Sequence, residues 1–245
     1  MALTLTHARY QLLETVRVPI AIIGSTFFPA AAMLFFVVPF TGEDPMMATL
    51  ATASMMTFAV MSTSLFTYGT GVADDRAQPW DPYLRTLPAG AFPRLGGRVL
   101  AGLAMIGLSV VPVLLIAAFL TDATITPGRL LLALGALALG SIPFTLIGML
   151  IGYTLPPKGA VALTQVVFFP MAVGGGLFGP PRGGPEFIET VAPYLPSRGA
   201  VELVWAAAGG PPATTTAIVM LVVWTAVAAI GAVWAYRRDE GARFS

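Results

Sequence analysis

The sequence predicts an all-α membrane protein with six transmembrane helices, and three observations carry that prediction. The 245 residues are 56% hydrophobic but only 10% charged, whereas soluble domains average about 25% charged residues. Six stretches of at least 20 residues carry no charged side chain, and about 20 helical residues cross the roughly 30 Å apolar core of a bilayer. The basic residues fall on alternate connections. Backbone amides in hydrocarbon must be satisfied within the segment, so these runs are read as helices.

The spans are expected at 20–40, 46–72, 99–120, 130–155, 159–178 and 213–236. The first is too long for a signal-peptide core, and no small-residue cleavage site follows it, so it is expected to be retained. Ten of the thirteen basic residues lie on one side: Arg9, Arg17, Arg76, Arg85, Arg94, Arg98, Lys158, Arg237, Arg238 and Arg243. The other side holds Arg129, Arg182 and Arg198 among Glu43, Asp44, Asp122, Glu186, Glu189 and Glu202. The positive-inside bias makes the basic side, with both termini, cytoplasmic.

Three segments lie outside the spans. Residues 1–19 read as an interfacial helix: Leu5, Ala8, Leu12 and Val16 recur at helical spacing beside Arg9 and Arg17, and Pro19 ends the run. Residues 73–98 form the longest inside loop. Within it Asp81 is an N-cap, Pro82 suits the first helical position and Pro88 stops the helix, which predicts a short helix at Pro82–Leu87. Pro93 can open the third span. Residues 179–212 form an outer segment too apolar for a solvated loop, with Phe187, Ile188, Val191, Leu195, Val204 and Trp205. They read as short helices dipping into the outer leaflet, broken at Pro193 and Pro196.

Several chemistries are excluded. There is no cysteine, hence no disulfide, thiolate metal site or cysteine nucleophile, and the single histidine, His7, cannot build a metal or proton-relay site. A net charge of +1 points to no nucleic-acid partner. No Gly-x-x-x-x-Gly-Lys-Ser/Thr phosphate loop occurs, so ATP is not bound here by that device. No Asp, Glu, Lys, Arg or His lies inside a span, which argues against a proton-coupled carrier. The excess of arginine over lysine, with abundant alanine and glycine, fits a GC-rich bacterial genome.

Within the spans, the second is distinctive. It holds Met46, Met47, Met55, Met56 and Met61, interleaved with serines and threonines. Adaptable thioethers and hydroxyls suit either a cavity for mixed ligands or ordinary membrane-helix packing. Gln165 is the strongest polar side chain of the fifth span and is expected to face protein or a cavity. Met55, Met61 and Tyr68 with Gln165 and Phe169 are the expected substrate path, although Met55 lies about 120° from Met61 around the helix. Ala136, Gly140, Gly148 and Gly152 form a small-residue ladder for close helix approach.

The six spans and three flanking segments together resemble the permease subunits of ABC-2-type exporters, including the drug-resistance and sodium-extrusion branches. The most specific piece is the cytoplasmic loop, where Asp75–Arg76 precedes Tyr83-Leu84-Arg85-Thr86-Leu87-Pro88. The stretch from Pro185 to Leu203 resembles the family's outer hairpin. Pro79 and Pro82 depart from the glycine and polar residue that many members carry there.

The resemblance implies a coupling helix docking on a separate ATPase, with ATP and magnesium on that partner and no cofactor on this chain. Asp75, Arg76, Asp81, Tyr83, Leu84, Arg85, Leu87 and Pro88 would do the coupling. It further implies a re-entrant hairpin between spans five and six, a second copy of this or a related permease, two ATPase copies, and efflux from the bacterial inner membrane as in multidrug resistance. The substrate expected is apolar or amphipathic, a drug or lipid. A stand-alone membrane protein, such as a small secondary carrier or an intramembrane enzyme, is the alternative, and a non-transporting assembly subunit stays open.

Overall fold

The computed structural model describes residues 2–17, 27–41, 44–79, 91–180 and 184–241, and every regular element among them is helical. We label them α1 (Ala2–Arg17), α2 (residues 27–41, with a π-helical turn at Met33–Val37), α3 (Pro45–Ala77), α4 (Ala91–Leu120), α5 (Pro127–Thr154), α6 (Pro157–Gly174), α7 (Glu186–Val191), α8 (Pro196–Ala208) and α9 (Thr215–Gly241). A single 3₁₀ turn, Ala192–Tyr194, links α7 to α8.

Four of these helices (α3, α4, α5 and α9) are long and apolar enough to cross a membrane. Two further segments expected as spans are weaker by the same measure. The apolar helix Phe27–Phe40 is shorter, and α6 has 18 residues that include Lys158 and Gln165.

Local chemistry sets the helix ends. Asp44 caps α3, its Oδ1 accepting from the amides of Met46 (2.9 Å) and Met47 (3.2 Å), with Pro45 in the first turn. Thr126 and Pro127 start α5 in the same way. α4 begins at Ala91, so Pro93 sits in its first turn, where no intrahelical amide bond is lost. Pro112, Pro143 and Pro170 lie within α4, α5 and α6, and each helix continues past its proline.

The protomer is built around α3. In its apolar stretch 89% is buried, against 22% in α9 and 33% in α4. This inverts the arrangement of a soluble bundle: the hydroxyl-rich helix lies inside, and the helices richest in valine and leucine turn outward, where Leu108, Leu115, Val222, Val227 and Ile230 are exposed. Lipid tails are as apolar as leucine, so burial here is set by close packing rather than by hydrophobicity.

Close packing comes from the glycine ladder. At Gly152 a methyl would lie 2.5 Å from the Tyr68 carbonyl oxygen, and at Gly148 it would lie 3.0 Å from Tyr68 Cβ. Lower on the same row, Gly140 meets Ala200 of α8. Several hydroxyls of α3 bond within the helix, whereas those of Thr63 and Ser64, and of Thr164 on α6, are buried without a hydrogen-bond partner among the described residues. Thr52, Ser54 and Thr57 donate to the carbonyls of Ala48, Leu50 and Ala53 at 2.7–3.2 Å.

Candidate functional sites

At the end of the bundle where α3 and α9 finish, Arg76 joins three helices. Its Nε and Nη2 donate to Asp239 Oδ1 of α9 at 2.9 and 2.6 Å, and its Nη1 donates to the carbonyls of Gly152 (2.8 Å) and Leu155 (3.3 Å) at the end of α5. A guanidinium suits this task, since its planar fork can meet a carboxylate and free helix-end carbonyls at once. Asp239 is buried. The neighbouring Asp75 pairs with Arg98 at the start of α4. The Tyr153 and Tyr236 rings meet edge-on, with centroids 5.3 Å apart, and the Tyr236 hydroxyl donates to Glu240 Oε1 at 2.6 Å.

The two charges expected to begin the coupling surface, Asp75 and Arg76, are therefore held in bonds within the chain. The rest of that set (Asp81, Tyr83, Leu84, Arg85, Leu87 and Pro88), with the expected helix at Pro82–Leu87, lies outside the described residues.

The five residues expected to line a path are not brought together. Met55, Met61 and Tyr68 are buried in the packing of α3, and the Tyr68 ring presses on Gly102 of α4, with its hydroxyl 3.4 Å from the Arg98 carbonyl. Gln165 and Phe169 are exposed on the outer face of α6, beside Val166 and Val173. Their neighbour Phe168 turns inward and meets Phe58 and Phe66 of α3, with centroids 5.1 and 5.7 Å apart. Gln165 thus lies on the exposed face of α6 in the protomer.

The segment between α6 and α9 is fastened by polar contacts that the sequence reading did not single out. Trp205 of α8 donates through Nε1 to the Leu50 carbonyl and to Ser54 Oγ, each at 3.0 Å. Glu202 is buried, and both of its oxygens are used. Oε1 accepts from Arg198 Nε (2.6 Å), and Oε2 accepts from the amide (2.7 Å) and hydroxyl (2.8 Å) of Thr214, just before α9. The Arg198 guanidinium also lies 4.9 Å from the Trp205 ring centroid. Ser197 Oγ donates to the Met171 carbonyl at 2.6 Å, and Trp224 Nε1 to the Tyr194 carbonyl at 2.9 Å. The four-residue spacing of Arg198 and Glu202 on an apolar helix was the available signal. The engagement of Thr214 by Glu202 was not visible in it.

This architecture defines a multi-pass helical membrane protein. The chain belongs to the ABC-2 type transporter family, whose pattern it matches over residues 3–208. It is also similar to a Bacillus subtilis (strain 168) protein named Putative transport permease YvfS, at 26% identity over 156 residues. That alignment covers 62% of this chain, and the chain spans 63% of the relative's length.

Proposed function

We propose that the chain is the permease subunit of an ATP-driven exporter, working as a dimer with a separate ABC ATPase present in two copies. One observation carries the reading. The family match extends over residues 3–208, and these residues hold no phosphate loop, which supports a separate ATPase as the energy source. ATP and magnesium then reside on that partner. The arginine distribution supports a bacterial inner-membrane location with both termini and residues 73–98 cytoplasmic. The helix 27–41 and α6 complete six spans, and α7 and α8 form the re-entrant outer hairpin, a reading supported by the buried anchorage of α8 on α3.

Within this scheme Leu84, Leu87 and Tyr83 form the ridge that docks on the ATPase, and Arg76 with Asp75 fixes the helix end from which that loop leaves. The absence of ionisable side chains within the spans supports an apolar or amphipathic cargo, of the kind carried by the drug-resistance branch of the family. The outward face of α6 with Gln165 and Phe169 offers a surface for it between two protomers, and Phe58 and Phe66 of α3 back that helix through Phe168.

The test is capture. An affinity-tagged chain extracted from its native membrane should bring down an ATPase carrying a phosphate loop and should stimulate its turnover. Replacing Leu84 and Leu87 together with Asp places desolvated charges at the contact, costing about 2 kcal/mol or more. It should abolish substrate-stimulated ATP hydrolysis while membrane insertion persists. Undiminished stimulation in the double variant would remove the lever from the scheme.

A further inference from the structure

The N-terminal helix and the start of α4 enclose a groove of a different character from the packed interior. The two helices cross tightly. A methyl at Gly97 would lie 2.6 Å from His7 Cβ and 3.1 Å from the Ala8 amide nitrogen, and Ala8 itself is buried. Beside the crossing opens a groove of about 460 Å³, lined by Leu5, Ala8, Arg9, Leu12, Leu13 and Leu100. The α1 residues fall at helical spacing on one stripe. Leu5 is 60% exposed, Leu13 38% and Leu100 41%, so the apolar walls are open.

Among the described residues Arg9 is the one charged side chain in the lining, and it forms no hydrogen bond or ion pair with them. Arg76, Arg98 and Arg198 each hold a carboxylate. An open apolar trough bordered by an exposed arginine matches one ligand chemistry, an acyl chain joined to a phosphate.

We propose that this groove binds an anionic phospholipid, with an acyl chain along Leu5, Leu12, Leu13 and Leu100 and the phosphodiester on Arg9. The proposal rests on the reading of the chain as a multi-pass membrane protein, which places the groove in contact with lipid. A guanidinium meets a phosphate through two parallel hydrogen bonds, and a headgroup without an ammonium leaves that charge uncancelled. A basic side chain at an anionic surface gains about a fivefold advantage in binding. The occupied groove would fix α1 to α4 and complete its apolar contact.

The full-length chain, purified in mild detergent, is given phosphatidylglycerol, phosphatidylcholine or inorganic phosphate, and retained molecules are counted by native mass spectrometry. Wild type is expected to retain phosphatidylglycerol in preference to phosphatidylcholine, with inorganic phosphate failing to displace it. Arg9→Gln should lower that retention roughly fivefold, with Arg9→Lys keeping most of it. Leu13→Ser should weaken both lipids alike. Matched gel-filtration profiles exclude misfolding, as expected for exposed positions. Equal retention by wild type and Arg9→Gln, or displacement by phosphate alone, overturns the proposal, as does a cross-link from Leu13→Cys showing another protein segment in the groove. Lipid retention is read on the chain alone, so its failure leaves the permease reading standing. Failure to capture an ATPase would leave the lipid site standing.

Discussion

Arg76 shows what a single side chain does in this fold. It ties α3 to Asp239, 163 residues further along the chain, and to two helix-end carbonyls of α5. Removing one partner of a buried pair leaves the other charge uncompensated, at about 3–5 kcal/mol. Arg76→Ala should therefore lower the detergent melting point markedly, and Arg76→Ala combined with Asp239→Asn should be milder than Arg76→Ala alone. Equal melting of wild type and Arg76→Ala would show that the clamp contributes nothing. Gly152 gives a second case. A methyl there would press on the Tyr68 backbone oxygen and on Val72, so Gly152→Ala should cost about 1–3 kcal/mol. At Gly107, exposed on α4, a methyl meets nothing within 4 Å, and Gly107→Ala should stay within about 0.5 kcal/mol of wild type. Thermal melts of the pair check the contrast, and similar losses at both sites would argue against close packing at Gly152.

At the scale of elements, the long apolar helices were legible because a charge-free run of sufficient length has few alternatives in lipid. The glycine row of α5 was legible for a similar reason, since small residues four apart mark a close approach. The position of α3 was not. Its methionines and hydroxyls fit a cavity wall and a packed interior equally well in sequence; in the protomer Met55 and Met61 are buried and Thr52, Ser54 and Thr57 bond to carbonyls of their own helix. Arg76 with Asp239, and Trp205 with Leu50, were illegible because nothing local connects residues 163 and 155 positions apart. The same contrast separates the candidate path residues. Met61→Ala empties a fully buried site and should mainly reduce folded yield, by a destabilisation of about 2–5 kcal/mol. Gln165→Ala and Phe169→Ala change an exposed face of α6 and should alter the relative transport of a substrate panel at matched expression. If Gln165→Ala and Phe169→Ala scaled every substrate by one factor, α6 would not be a lining helix.

For the whole molecule the arrangement of charge is the main determinant. Arg76, Asp239, Asp75, Arg98, Tyr236 and Glu240 gather at one end of the bundle, where α3 and α9 finish and α4 begins. Arg198 and Glu202 lie in the segment joining α6 to α9, and Thr49 at the start of α3 is bonded to Thr124 before α5. With Lys158 at the start of α6 and Arg237 and Arg238 near the end of α9 counted there, each long helix runs between a basic end and an end containing Asp44, Asp122 and Glu202. Lys and Arg resist translocation, whereas acidic residues contribute little to orientation, so the basic end should be cytoplasmic. The native chain has no cysteine, so a single Ala89→Cys supplies an unambiguous reporter in the loop that follows α3. In intact cells it should resist an impermeant thiol reagent and react only after the membrane is opened, while a cysteine at Asp122, between α4 and α5, should react at once. Labelling of Ala89→Cys from outside intact cells would invert the topology and remove the loop from the side where ATP is available.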